Sequence, residues 1–465
     1  MVNRQFRAIC DRTTIPDRRY PGGRVRRRRT ASAMSPLMLV MLAISVAACS
    51  SAGSAAFPPK TPTEPTSSAH ANGGRGPAPG VTANSVTVGQ VDDLGSPIPG
   101  LFKGAEDGTK AYFAYINSKG GVNGRKLILD AQDSTFQSGE VAVATGAQIH
   151  NDFALVGGFS LLDAAEKPLI DIAHVPDITL PLDTGMVSDP FVYSALPNPV
   201  NNYPLGFFKY LQHTYPQAVK KVGIIWAKAT PATAAIEHTF ETAMTSVGIR
   251  IVYDRGVGPF DTNFLPDIVS MKDAGVRMFI SLELPDNFAA ALARQMQQQN
   301  FTPINIEGAA YSSRLLALAG SAADGMFIFQ SYPLYLGQDA KTIPAVTQFV
   351  AWMKKVDARP NFEIESVSGW ISAELFAAAL KHAGDPPTRA GLISALNKTT
   401  LFDSGGLIPL SNPAGEVSSS CFLLAQVRHG QIQRVPPTPS TGFFCPTSSG
   451  YLTSPGYHRI VRPTS

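Results

Sequence analysis

The sequence predicts an α/β protein of two doubly wound, parallel-sheet lobes joined by three crossings of the chain. Three observations predict it. Short apolar strand patterns alternate with amphipathic helical patterns along most of the 465 residues, which suits parallel sheets covered by helices on both faces. The chain is longer than one ordinary core uses. The alternation also pauses at Pro-rich stretches that read as connections between lobes.

The clearest unit opens the body. Ser85-Val86-Thr87-Val88-Gly89-Gln90-Val91 reads as a strand. Ala105, Tyr112, Phe113 and Ile116 then mark the apolar face of a helix. Gly120-Gly121 stops that helix, because a helix end needs a residue that accepts positive φ. Asn123-Gly124 turns the chain, and Lys126–Asp130 resumes as a strand. The crossover rule lays the two strands parallel.

Further along, Glu140–His150 and Ser160–Ala173 read as helices around a buried strand at Ala154–Gly158, and Asp177–Leu180 as another strand. Lys221–Trp226, Ile249–Tyr253 and Met278–Ser281 are strand patterns; Thr233–Val247, Phe264–Ala274 and Asn287–Asn300 are helical ones. Ser366–His382 is a long helix, and Thr388 caps a shorter one through Leu396. Cys421–Val427 and Gln431–Gln433 flank His429-Gly430 as a hairpin. The pauses fall at Ser194–Gly206, around Pro333, and at Phe402–Leu410.

The formal net charge of +4 conceals two parts. Residues 1–33 hold ten Arg and two Asp, which leaves the remainder weakly acidic and without a nucleic-acid footprint. The basic head precedes the apolar run Leu37–Ile44, too short to span a membrane, in the order of a secretory signal. The run ends Val46-Ala47-Ala48-Cys49, which resembles a bacterial lipobox and implies a lipid on the Cys49 sulfur, with the mature chain beginning there. Translation is expected to start nearer Val25. Residues 50–80 are rich in Ser, Ala, Pro, Thr and Gly and cannot bury enough surface to offset their ordering entropy. Of the four cysteines, Cys10 leaves with the signal and Cys49 is lipidated. Cys421 and Cys445 remain as a disulfide pair worth roughly 3 kcal/mol in the chain-entropy model.

The expected organisation is a signal peptide over 1–48, a disordered tether over 49–80, one lobe over 81–200 and 336–407, a second over 201–335 and 408–435, and a Pro/Ser-rich tail over 436–465. Enzymatic motifs are missing. Gly158-Phe159-Ser160-Leu161-Leu162 lacks the closing glycine of a nucleophile elbow. There is no H-E-x-x-H, no phosphate loop and no Cys/His cluster for a metal, so neither catalysis nor a cofactor is expected.

Ile116-Asn117, Gly120-Gly121, Asn123-Gly124-Arg125-Lys126 and Asp130, followed by Val156-Gly157-Gly158, Lys221–Ile225 and Ala323-Asp324-Gly325-Met326, fall in a familiar order. Over about Ala83–Val435 the chain resembles the type I periplasmic binding proteins, in particular the branched-chain amino-acid receptors of ABC importers. The resemblance implies two hinged lobes closing on a small polar or amino-acid-like ligand. It further implies delivery to ABC permease subunits by a monomer, lipid-anchored on the outer face of the cytoplasmic membrane. A membrane-tethered sensor of the same fold is the alternative.

In such lobes ligands lie beyond the carboxyl ends of the strands. That rule selects Phe102, then Phe159, Ser160 and Leu161, then Asp183 and Thr184. In the second lobe it selects Thr230, Glu283 and Glu307. The resemblance implies that Ser160 and Thr184 help hold a ligand carboxylate and that Glu307 takes an ammonium. Leu161-Leu162-Asp163 after Ser160, Asp183 in the third loop and Thr230-Pro231 in place of an aromatic depart from the family pattern. They leave open both an amino acid and a less anionic, more apolar ligand. Structural alternatives stand beside each choice: Ser160 as an N-cap, Asp183 as a solvated turn, Phe102 as lobe core, Tyr332 as packing in a crossing.

Overall fold

The structure is a computed structural model that describes residues 77–96, 102–198, 202–308, 311–360, 362–446, 450–453 and 460–463. The signal segment, Cys49 and most of the tether lie outside the described residues.

The first lobe begins with β1 (Ser85–Asp92), α1 (Lys103–Ser118), β2 (Lys126–Asp133) and α2 (Ser138–Asn151). It continues with β3 (Leu155–Val156), α3 (Lys167–Ala173), β4 (Asp177–Ile178), α4 (Thr184–Val187) and β5 (Val192–Tyr193). The five strands are parallel in the order β2-β1-β3-β4-β5. Val86 and Val88 of β1 are fully buried, as expected of a strand covered on both faces. The helix stop works as the glycines require: Gly120 and Gly121 have φ of 102° and 80°. A Cβ on Gly121 would lie 2.0 Å from the Arg125 carbonyl oxygen, so the turn admits no side chain there.

The chain crosses through β6 (Asn202–Pro204) into α5 (Gly206–Thr214), β7 (Val222–Ala227), α6 (Pro231–Ser246) and β8 (Ile251–Val257). Then come α7 (Leu265–Asp273), β9 (Met278–Leu282), α8 (Asp286–Gln298), β10 (Ile304–Glu307), α9 (Ser313–Ala319) and β11 (Phe327–Gln330). A second crossing leads back through α10 (Asp339–Thr342) to α11 (Pro344–Val356), α12 (Ile364–Leu380) and α13 (Arg389–Leu396). The hairpin β12 (Leu423–Arg428) and β13 (Gln431–Arg434) completes the second sheet, ordered β13-β12-β11-β10-β9-β7-β8. Its strands β7 to β11 are parallel and the hairpin is antiparallel.

The first lobe depends on one close helix contact. Trp370 of α12 is buried edge-on against Tyr112 of α1, with ring centroids 5.1 Å apart. That proximity needs glycine on both helices. A Cβ on Gly108 would sit 2.1 Å from the Ser366 carbonyl oxygen, and one on Gly369 2.0 Å from that of Ala105.

Two stretches differ from expectation. Ser160–Ala173 is not one helix: a 3-10 turn at Asp163–Ala165 precedes α3. The Asp163 carboxyl accepts hydrogen bonds from the backbone N–H of Leu182 (2.6 Å) and Asp183 (3.0 Å), which ties the turn to the neighbouring loop. Phe402–Leu410 is not the third crossing. It packs on the first lobe, where Ser404 Oγ donates to Glu374 and Leu407 and Ile408 are buried. Gly405 and Gly406, with φ of 64° and 95°, serve that turn. The chain crosses after it, where Ser411 and Ser418 donate to the carbonyls of Ala195 and Pro197 at 2.7 Å each.

The last residues join the body. The expected Cys421–Cys445 disulfide is formed, beside a two-way backbone pairing of Phe422 and Phe444. β14 (Tyr451–Thr453) pairs antiparallel with β6. Arg462 donates to the carbonyls of Asp189, Pro190, Val192, Pro413 and Ala414 and to Glu416 Oε1 at 2.9 Å, and lies 4.0 Å over the Tyr193 ring.

Gly369→Ala should force α1 and α12 apart and destabilise the fold by about 1–3 kcal/mol. Urea unfolding followed by Trp fluorescence measures it; an unchanged midpoint would show that the helices can separate freely.

Candidate functional site

Both sheets reverse strand order between the first strand and the third of their set, at β1/β3 in one and β7/β9 in the other. Ligands in open α/β sheets bind outside such switch points. Phe159 follows β3 and Glu283 follows β9, so each sheet places one residue of the expected set there.

A cavity of about 390 Å³ lies between them, within the range of small-molecule sites. Its walls are largely aromatic and aliphatic. From the first lobe come Phe102, Phe159, Leu161, Leu180 and Leu182; from the second and the crossings come Tyr203, Phe207, Phe240, Leu282, Phe329 and Phe422. The Phe102 and Phe159 rings meet at 4.7 Å, and Phe207 stacks on Phe329 at 3.8 Å. Phe102 and Glu283 both hold left-handed backbone, with φ of 65° and 52°. Such conformations cost side-chain-bearing residues about 1–3 kcal/mol and gather at ligand sites.

The expected residues divide. Phe102, Phe159, Leu161 and Glu283 border the cavity. Ser160, Asp183, Thr184, Thr230 and Glu307 do not. Backbone alternation explains Ser160: its neighbours on either side reach the cavity while its hydroxyl turns inward and donates to Asp93 Oδ1 at 2.8 Å. Asp183 caps α4 by accepting from Gly185 N–H at 2.8 Å, and Thr184 is an exposed residue of that helix. Thr230 caps α6 in a reciprocal box with Thr233, and it is Thr233 that borders the cavity. Glu307 ends β10 almost fully buried, and burial pushes its carboxyl up to about 7 while nearby Ser281 works the other way. Glu307 Oε1 and Ser281 Oγ nevertheless lack a well-directed hydrogen bond.

The donors of the first lobe are already occupied. Phe159 N–H donates to Asp92 Oδ1 at 2.9 Å and Leu161 N–H to Asp93 Oδ2 at 2.7 Å, and Asp163 takes the N–H groups of Leu182 and Asp183. These are the loops expected to hold a ligand carboxylate. The chain's own carboxyls fill that role, and burial raises Asp92, Asp93 and Asp163, the last to about 7.

Four further carboxyls border the cavity: Glu283, Asp286, Glu363 and Glu365. Glu363 and Glu365 carry no signal in sequence beyond their place at the start of α12. Tyr203, Phe207 and Phe422 were equally illegible, being brought to the cavity by the crossings. Enclosure raises all four carboxyls. Among the described residues that border the cavity, the cation is Arg314, exposed and attracted to Asp286 and Glu363. The described residues placed to share a metal ion are Glu237, Glu241 and Asp254, none of which borders the cavity. No helix among the described residues is long and apolar enough to cross a membrane.

The periplasmic binding protein family model matches residues 85–431, and the chain belongs to that family, whose members are extracytoplasmic solute-binding proteins and not enzymes. No curated protein sequence matches the chain. Among solved structures, it is similar to a fatty acid ABC transporter substrate-binding protein from Thermomonospora curvata, with TM-score 0.66, 19% identity, and 80% of this chain and 95% of that one covered. A branched-chain amino acid ABC transporter protein from Thermus thermophilus with bound valine aligns with TM-score 0.66, 14% identity, and 79% and 98% covered. A branched-chain amino acid transporter substrate-binding protein from Streptococcus pneumoniae in complex with isoleucine aligns with TM-score 0.62, 14% identity, and 78% and 100% covered. At these identities the likeness is one of fold.

Burial raises Asp163 and Glu307 to about 7, against an unfolded carboxyl range near 4. Between those values the folded chain holds more protons than the unfolded one. The stability from their neutral forms is therefore complete below about pH 4 and is lost as pH rises through about 7. The thermal midpoint should be higher at about pH 5.5 than at about pH 8; differential scanning calorimetry showing the reverse order would contradict the buried, protonated state.

Proposed function

We propose that this protein is a lipid-anchored receptor that captures a small solute with a substantial apolar body and hands it to the permease subunits of an ABC importer. Capture proceeds by closure of the two lobes about their crossings, and the receptor acts as a monomer. The single observation that carries this reading is the largely apolar cavity at the switch points of the two sheets. Family membership supports solute binding, and similar folds serve proteins named for fatty acid and branched-chain amino acid transport. Phe102, Phe159, Leu161 and Glu283 are the proposed ligand contacts. Ser160, Asp183, Thr184, Thr230 and Glu307 shape the loops and helix starts behind them. The filled donors of the first lobe argue against an α-amino acid held in the usual manner, and the aromatic walls favour a more apolar solute. Cys49 is proposed as the attachment point, with cleavage before it and the stretch to about residue 80 as the tether.

Two measurements test this. A screen of small solutes should find one that raises stability by roughly 2.7 kcal/mol at one hundred times its dissociation constant. The same solute should shrink the radius of gyration in small-angle scattering, whereas binding without any change of shape would remove the clamp. Cys49→Ala should abolish lipid labelling and release the protein from the membrane fraction; continued lipid labelling of that variant would remove Cys49 as the anchor.

A further inference from the structure

The charged groups at the cavity are unevenly supplied with partners. Glu363 Oε1 accepts from Gly104 N–H at 3.2 Å, and the same side chain caps its own helix through the backbone of Ser366. It thus occupies the starts of α1 and α12, where free N–H groups would otherwise attract an anion. Asp286 accepts from Ser312 Oγ at 2.6 Å and sits in the first turn of α8. These two carboxyls are explained by the fold.

Glu283 and Glu365 are not. Among the described residues no hydrogen bond or ion pair reaches the Glu283 carboxyl; the residue is exposed and borders the cavity. Among the described residues Glu365 accepts from its own backbone N–H, and Glu283 of the opposite lobe is near enough to repel its charge. Tyr332, between them, feels both. Two carboxyls that border one cavity from opposite lobes repel when both are ionised, and that repulsion opposes closure unless a counter-charge enters.

A separate observation points the same way. Gln330 borders the cavity and is only 4% exposed. Its Nε2 donates to the carbonyls of Tyr332 (2.8 Å) and Pro333 (3.3 Å), which fixes the amide and leaves its buried Oε1 without a partner among the described residues. An orphaned buried acceptor calls for a donor. The N–H groups of Phe159, Leu161, Leu182 and Asp183 are filled by Asp92, Asp93 and Asp163, so these donors are taken while Gln330 Oε1 still accepts.

Resting on the receptor function proposed above, we propose that the solute is an organic cation: an amine with a mainly hydrocarbon or aromatic body and no carboxylate. Its ammonium lies between Glu283 and Glu365 with an N–H to Gln330 Oε1, and its body lies against Phe102 and Phe159. The charged head joins the lobes, so the cation stabilises the closed form directly.

Titration calorimetry of the full chain with octylamine, 1-octanol and octanoate, paired with small-angle scattering, tests this. All three probes share one chain length and are used below aggregation. Octylamine should bind about tenfold or more tighter than 1-octanol, with octanoate weakest, and should contract the molecule. In Glu283→Gln/Glu365→Gln, the ratio of octylamine to 1-octanol affinity should fall by about tenfold; using the ratio cancels any general loss of folded protein. If octanoate binds as tightly as octylamine, or the ratio is unchanged in the double variant, the cation assignment is overturned. Contraction with 1-octanol and no preference for the amine would overturn that assignment while leaving the receptor function standing. No binding and no contraction with any probe would overturn both.

Discussion

Asp92, Asp93 and Asp163 are buried at the rim of the first sheet, and each accepts backbone N–H groups from a loop beyond a neighbouring strand. A loop at a strand end carries unpaired donors that must be satisfied if it is to be buried. Here the partner comes from within the chain. The arrangement fixes which way each loop residue points, sending Phe159 and Leu161 to the cavity and Ser160 away from it. It also removes the donors that would otherwise recognise an anion. The course of the cavity wall here and the loss of these backbone donors both follow from these three carboxyls.

The second sheet repeats the strand order of the first, yet its rim is built differently. Glu283 stands at the switch point in left-handed backbone, at the border of the cavity and unpaired among the described residues. One lobe therefore meets its own needs and the other does not. In the proposed receptor, a clamp of this asymmetric kind would hold its unpaired charge where the halves come together.

Much of this was legible in the sequence because it rests on local rules. Gly120-Gly121 and Asn123-Gly124 take positive φ wherever they occur in a turn, and they ended α1 where expected. Alternating strand and helix patterns gave the class of fold, and an even cysteine pair became a disulfide. The failures lie where a distant side chain overrides the local pattern. Nothing near Ser160 reveals that Asp93, sixty-seven residues earlier, accepts from its hydroxyl. The break in Ser160–Ala173 depends on Asp163 reaching Leu182, and the third crossing shifted because Ser404 and Leu407 pack on helices far upstream. Glu363 and Glu365 reach the cavity only through the placement of α12 against α1, which Gly108 and Gly369 permit and no spacing announces.

Arg462 gathers carbonyls from the end of β5 and from the segment around Pro413, and leans on Tyr193. The strands it steadies are made in the first half of the chain, whereas α11 to α13 come after β11 of the second lobe and Arg462 comes after the hairpin that completes it. A polypeptide leaving the ribosome or an export pore amino end first cannot finish its first lobe until α11 to α13 and Arg462 have emerged. Exported proteins must be threaded before they fold, and this chain carries its own delay.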